Sequence, residues 1–199
     1  MRLCQMLLKN KITRSPEGYA LFALMCFHSA RLDSKMDQNG AIIDLKHQDR
    51  SQWHFPLIRM GNDAMIKAVE EESFSRYHYE AAIAAEHLKA RSFETTNWEK
   101  IFMWCENLYE LLPTSITGLQ MAVVQLQRNK MEEAYGLLKS IKPEDLEQRA
   151  YLYYGFLAEY HHKNGQMQKA LSSIDIALEK VQNEAEKNYL LKKKQFIGG

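Results

Sequence analysis

The amino-acid sequence predicts an all-α protein in which antiparallel helical pairs stack as a tetratricopeptide-like array. Only four prolines and nine glycines interrupt its 199 residues, and the apolar residues between them mostly follow helical spacing. The second half also contains an internal repeat of the length of a helical pair. One short stretch, residues 37 to 45, departs from the helical pattern.

Composition indicates a folded globular protein without an overall preference for polyanions. Apolar residues make up 46% of the sequence and charged residues 26%. Lys plus Arg number 26 against 25 for Asp plus Glu, so the formal net charge is +1. We therefore expect no direct DNA binding by this chain alone.

The cysteines and the longest apolar run favour a cytoplasmic protein without a membrane partner. Cys4, Cys26 and Cys105 are an odd number without C-x-x-C spacing, which suits a reducing compartment and predicts small buried side chains. The longest apolar run, ALFALMCF at residues 20 to 27, is far shorter than the ~18 residues that a membrane span requires.

Capping signals locate three helix starts. Ser15-Pro16-Glu17 offers a cap, a first-turn proline and an acid at the positive end of the dipole, before a helix predicted to end near Asp33. The residues from Thr96 to Glu99 have capping-box spacing. The third predicted helix start is at Lys142 and Pro143, which two acidic residues follow.

The exception to helix is DQNGAIIDL, residues 37 to 45. Its Asn39-Gly40 pair and two isoleucines predict a turn and a short extended segment or hairpin arm. Residues 1–75 are predicted to form an N-terminal helical part that includes this segment. Residues 76–199 are predicted to form the tetratricopeptide-like repeats, in three helical pairs that continue the same domain.

The repeat defines the register of the array. The stretch NKMEEAYGLLKSI, which starts at Asn129, superposes on GQMQKALSSIDIAL, which starts at Gly165, with Ala134 aligned to Ala170 36 residues later. Asparagine and glycine are the residues that best tolerate a left-handed helix terminus. The two alanines are predicted to lie at close helix contacts, with Ser173 near the solvent side.

Motifs specific to an enzyme or a metal site are missing from the sequence. No H-E-x-x-H zinc helix, G-x-S-x-G, P-loop, dinucleotide glycine motif or cysteine-nucleophile signature occurs. The sequence therefore predicts no catalytic residue, no metal and no cofactor. Three consecutive lysines, residues 192 to 194, suggest either a solvated helix end or a contact with phosphates.

The stretch QDRSQWHFPLIRMG, residues 48 to 61, is the candidate site. We interpret it as a helix-entry corner in which Asp49 caps, Trp53 fills the gap between helices and Pro56 lies near a helix start. The alternative is that Asp49, Arg50 and Trp53 contact a partner.

A second candidate is a pocket between the first helices and the AAIAA helix. His28, Tyr79 and His87 are the residues expected around it. Such a pocket would suit a small-molecule-sensing helical domain or an enzyme.

The motifs QDRS-x-W at residues 48–53 and AAIAA-x-H at residues 81–87, together with several longer stretches, resemble the C-terminal extension of a group of bacterial extracytoplasmic-function (ECF) RNA polymerase sigma factors. The resemblance is specific at QDRS-x-W and AAIAA-x-H. It differs at GLQMAVV, where Gln120-Met121 replaces an Asn-Arg pair of that family. The stretches that carry it, besides the repeat pair, are EGYALFALMCFHSAR (17–31), LKHQDRSQWHFPLIRMG (45–61), SRYHYEAAIAAEHLKA (75–90) and TNWEKIFMWCENLYELLP (96–113).

The resemblance implies a helical interaction module that follows sigma regions 2 and 4. Those regions are not among the 199 residues, so the chain is expected to act with a sigma factor and not as one. Its implied partners are sigma core regions or RNA polymerase, with modulation of transcription initiation as the function. The alternative is a free-standing negative effector that competes with an intact sigma factor.

Overall fold

The computed structural model describes residues 1–38 and 40–199, and in them the protein is all-α, as predicted. Helix accounts for 72% of the chain, and no strand forms among the described residues. The α-helices of this part are α1 Arg2–Lys9, α2 Pro16–Ser29, α3 Phe55–Ala68, α4 Arg76–Lys89, α5 Trp98–Leu111, α6 Ser115–Gln127, α7 Met131–Lys139, α8 Ala150–Lys163, α9 Met167–Lys180 and α10 Glu184–Gly198.

The chain folds into two compact units. Unit 1 comprises Met1–Lys35 and Asp44–Leu112, and unit 2 comprises Met36–Ile43 and Pro113–Gly199. The break predicted near residue 75 falls between α3 and α4, inside unit 1. The 36-residue repeat lies wholly in unit 2.

Helix α2 is the centre of unit 1. Its apolar run buries side chains all round the helix, so α3 and α4 both pack against it and α1 covers a further part. Helix α5 packs on α4. Phe27 of α2 is 1% exposed. The three cysteines, all in unit 1, are free and buried, as predicted.

The predicted start of α2 is confirmed, and its predicted end is wrong by one turn. The Ser15 hydroxyl accepts a hydrogen bond from the Gly18 amide at 3.1 Å. The helix ends at Ser29 and not near Asp33, because the chain tightens there into a 3₁₀ turn at Leu32–Ser34.

Helix α5 is capped by Asn97 and not by Thr96. The Asn97 side chain accepts a hydrogen bond from the Lys100 amide at 3.0 Å. Thr96 is buried, and its hydroxyl instead donates to the carbonyl of Ser92 at 3.4 Å. The capping residue of α5 therefore lies one position later than predicted.

The predicted helix opening at Pro143 is a 3₁₀ turn, Pro143–Arg149, and not the first turn of an α-helix. Glu147 has a φ of 50°, which breaks the helical path. Helix α8 therefore begins only at Ala150.

The repeat forms stacked helical pairs in unit 2, α6 with α7 and α8 with α9, and α10 packs on α9. Asn129 and Gly165 end the first helix of each pair with φ of 60° and 70°. In each turn the next amide donates to a carbonyl five residues earlier, at 2.9 Å and 2.8 Å. The two copies thus share one turn geometry, as the alignment predicted.

The alanine contacts of the repeat are confirmed, but the predicted place of Ser173 is wrong. Ala134 and Ala170 are both 0% exposed. Ser173 is 5% exposed and lies on the buried face of α9. Its hydroxyl donates to the carbonyl of Lys169 at 2.8 Å, so burial leaves no polar group unsatisfied.

The segment Met36–Ile43 of unit 2 is a small hairpin. Met36 and Ile42 form an isolated antiparallel bridge, and the Asp37 amide donates to the carbonyl of Ala41 at 2.9 Å. A carboxylate oxygen of Asp37 also accepts from the Ala41 amide at 2.9 Å. Asn39, half of the predicted turn pair, lies outside the described residues.

Candidate functional site

Asp49 begins the candidate corner as a cap, as predicted, but of a 3₁₀ turn, Arg50–Gln52. Its carboxylate accepts hydrogen bonds from the hydroxyl and the amide of Ser51 at 2.7 and 2.9 Å. It also accepts from the Gln52 side chain at 3.1 Å. These hydrogen bonds, first that of the Ser51 hydroxyl, lower the pKa of Asp49. The residue is exposed, so one side of the carboxylate faces solvent.

The Arg50 side chain caps the carboxyl end of α4. One guanidinium nitrogen, Nη1, donates to the carbonyls of His87 and Ala90, each at 2.8 Å. The chain turns to an extended conformation at Ala90, so these carbonyls lack helical partners. A cation at this position also complements the negative end of the helix dipole. Arg50 therefore joins two parts of unit 1 that are far apart in sequence.

Trp53 fills the space under this contact, as predicted, and is 4% exposed. Its indole nitrogen donates to the Ser34 hydroxyl at 3.0 Å. The guanidinium carbon of Arg50 lies 4.5 Å from the ring centroid, and that of Arg31 lies 5.8 Å away. Arg31 is held in turn by Gln48, to which its Nε donates at 3.1 Å.

Sequence reasoning missed Arg31, Ser34 and Gln48 as parts of this corner. Gln48 begins the stretch that was singled out, while Arg31 and Ser34 follow the apolar helix directly. No spacing rule connects the two segments, because only the tertiary fold brings them together.

His87 lies beside Arg50 and packs edge-on against Trp98, with ring centroids 5.4 Å apart. Burial, reinforced by the charges of Arg31 and Arg50, lowers the pKa of His87 to about 4. Its Nδ1 is buried and has no hydrogen-bond partner among the described residues. The ring is therefore neutral at pH 7, and the two neighbouring guanidinium groups oppose a metal cation there.

His28 and Tyr79 have surroundings different from those of His87. His28 is exposed in the last turn of α2. Tyr79 lies between Phe74 and Trp104, with both ring centroids 6.3 Å from its own. Two cavities in the described part of the chain are lined by other residues than these three. Of the six candidate residues, Arg50, Trp53 and His87 form one corner, with Asp49 at its exposed edge. The charge of Arg31, which lies over Trp53, acts on His28 as well.

The lysines near the end of the chain are paired with carboxylates. Lys192 forms an ion pair with Asp37 of the hairpin. Lys193 pairs with Glu159 at 2.9 Å, and Lys194 pairs with Asp175. Each of the three lysines therefore has a carboxylate partner within unit 2.

Two surveys cover the residues that the structure describes. No group of three or more His, Cys, Asp or Glu side chains in this part is arranged to hold a metal ion. No helix in it has both the length and the apolar character that a membrane crossing requires.

Comparison with known proteins gives two similarities. Residues 1–69 match a family of unknown function (DUF6596). The chain is also 30% identical over 191 residues to a protein of Rhizobium meliloti (strain 1021) whose name states only that it is uncharacterized. The alignment covers 96% of this chain and 44% of the relative, so the chain spans less than half of the relative's length. No solved structure matches significantly.

Proposed function

We propose that this chain is a non-catalytic interaction module of an ECF sigma factor system, which modulates transcription initiation through contacts with sigma regions or RNA polymerase. The resemblance of residues 17–31, 45–61, 75–90 and 96–113 to the extension of such sigma factors supports the partner class. The stacked helical pairs support the interaction role, because such arrays commonly present binding surfaces to other proteins.

The observation that carries the interaction role is a second apolar face on α1. Cys4 and Leu8 point into the core of unit 1. Leu3, Met6 and Leu7 lie on another side of the helix at helical spacing and are 77%, 61% and 55% exposed. A contiguous apolar face in solvent is typical of a protein-binding site.

The candidate corner offers a partner only its exposed residues. Arg50, Trp53 and His87 are engaged within unit 1 by the contacts described above. Asp49 and His28 are exposed and available to a partner. We therefore assign Arg50, Trp53 and His87 to shaping the module and Asp49 and His28, with the α1 face, to contact.

A binding titration tests the proposal. The purified chain is titrated with sigma regions 2 and 4 of an ECF sigma factor and, separately, with core RNA polymerase. A Leu3→Glu, Leu7→Glu double variant should weaken binding about tenfold or more, or 1.4 kcal/mol. Leu111→Glu is the matched control, because Leu111 is 50% exposed at the end of α5 and lies outside the α1 face.

Binding that the control leaves unchanged and the double variant loses would support the proposal. The absence of any interaction with the sigma regions and the polymerase would refute it. Competition between the free chain and a full-length sigma factor for polymerase would favour the negative-effector form of the proposal.

A further inference from the structure

Unit 2 contains a cavity of about 310 Å³ between α6, α8 and α10. Its volume is within the range of small-molecule sites. Ile42 of the hairpin contributes to one wall, and the other apolar lining comes from the helices. The apolar and aromatic lining residues are Ile42, Val123, Tyr151, Leu152, Phe156, Tyr189 and Leu190.

At one end of the cavity, Lys193 and Glu159 form an ion pair in which the two charges cancel. Lys193 donates to Glu159 at 2.9 Å and to the carbonyl of Gly155 at 3.5 Å. Glu159 also accepts from Gln127 at 3.2 Å. Although burial opposes it, the charges of Lys193 and Lys163 keep the pKa of Glu159 below its usual value. This pair is thus ionised but internally compensated.

The third charged residue of the lining is Glu186. Burial, and after it the neighbouring Glu186 carboxylate, raise the pKa of the Tyr151 hydroxyl, and the charge of Arg149 opposes this shift. No lysine or arginine in the described ranges forms an ion pair with Glu186. The cavity therefore combines an apolar body with one carboxylate that forms no ion pair within the described residues.

We propose that this cavity binds a small organic cation, an ammonium group on a short alkyl or aryl-alkyl body, with the ammonium at Glu186. The faces of Tyr151 and Tyr189 attract a cation in addition to the carboxylate. Phe156 and Leu190 receive the apolar body. A carboxylate of the same shape is repelled by Glu186, and a neutral molecule gains only the apolar contacts. The inference does not rest on a sigma-factor role.

Calorimetric titration of the full chain with three isosteric probes tests the charge preference. The probes are phenethylamine, 2-phenylethanol and phenylacetate. Phenethylamine should bind about tenfold more tightly than the alcohol, which corresponds to 1.4 kcal/mol, and phenylacetate should bind most weakly. Glu186→Gln should remove the preference for the amine and leave the affinity for the alcohol unchanged.

A volume variant tests the location. A Cβ at Gly155 would lie 3.6 Å from Leu190 Cδ2, an ordinary contact, so a larger side chain there enters the cavity. Gly155→Leu should lower the phenethylamine affinity about tenfold. Gly136→Leu is the matched control, because Gly136 lies within α7 with nothing within 4 Å of its Cβ position. It should leave the affinity unchanged.

N-acetyl-lysine N-methylamide distinguishes the two sources of the ammonium group. Tighter binding than phenethylamine assigns the cavity to a lysine of a partner protein, and weaker binding assigns it to a free amine. Equal affinities for amine, alcohol and carboxylate, no binding of the amine at millimolar concentration, or an unchanged preference in Glu186→Gln would each overturn the proposal.

Discussion

A glycine in α3 is the position at which adding one methyl group should be most costly. Gly61 is buried against Phe27, and a Cβ there would lie 2.7 Å from Phe27 Cδ1 and still closer to Cε1. Ordinary carbon contacts are about 3.5–4.0 Å. Because Phe27 is only 1% exposed, its ring has no solvent space to move into. Gly61→Ala therefore forces the centre of unit 1 to repack.

The expected magnitude follows from two opposing effects. Overpacking a well-packed core costs about 1–3 kcal/mol. Alanine in place of glycine within a helix raises the free energy of unfolding by about 0.5–1 kcal/mol. We therefore expect Gly61→Ala to lower the free energy of unfolding by up to about 2.5 kcal/mol. Gly136→Ala, in the open part of α7, lacks the first effect and should raise the free energy of unfolding by about 0.5–1 kcal/mol.

Urea unfolding followed by circular dichroism measures both variants. The two changes are chemically identical, so their opposite signs isolate the contact with Phe27. If Gly61→Ala stabilises the protein as much as Gly136→Ala does, the close approach of α3 to α2 is wrong.

Three further predictions concern the corner and the repeat. Arg50→Ala should lower the free energy of unfolding by about 2–4 kcal/mol, because two charge-assisted hydrogen bonds are lost; Arg50→Lys should recover part of this in urea titrations, and equal losses for the two variants would contradict a stabilising role of these hydrogen bonds. Ala170→Leu should cost about 1–3 kcal/mol, and Ser172→Leu, at an exposed position of the same helix, less than about 0.5 kcal/mol; similar melting temperatures would refute the register. The pKa of His87 is about 4 in the folded protein and about 6.5 in the unfolded chain. The neutral side chain therefore contributes stability that is fully present above pH 6.5 and is lost as the pH falls towards 4. His87→Gln should flatten that part of the pH profile of stability, and an unchanged profile would contradict the depressed pKa.

The sequence predicts the repeat well because each of its signals has a local cause. A left-handed turn residue recurs at Asn129 and Gly165 because a helix end needs one there, whatever surrounds it. Buried alanines recur at 134 and 170 because neighbouring helices approach closely. Both features can be recognised without knowing what the helices contact.

Ser173 shows where this reasoning fails. A serine at the edge of an apolar pattern suggests solvent, but its hydroxyl bonds to a carbonyl of its own helix and can therefore be buried. Nothing in the local sequence separates these alternatives, because the neighbouring helix decides which side of α9 is covered.

The sequence predicts the local features of the candidate corner but not its long-range contacts. Asp49 as a cap and Trp53 as a buried residue follow from residue type and position. Arg50 contacts the carbonyls of His87 and Ala90, which follow it by 37 and 40 residues in the sequence. No periodicity of the sequence indicates this contact. The balance of charge around Glu186 likewise depends on helices α8 and α10 meeting.

Promoter-specific run-off transcription tests the central claim most directly. Core RNA polymerase with sigma regions 2 and 4 is compared with the same regions carrying this chain fused behind them. The proposed module should change the transcript yield about fivefold or more, a coupling of roughly 1 kcal/mol, and the Leu3→Glu, Leu7→Glu variant should abolish the change. Equal yields with and without the chain, at saturating polymerase, would contradict a role in transcription initiation.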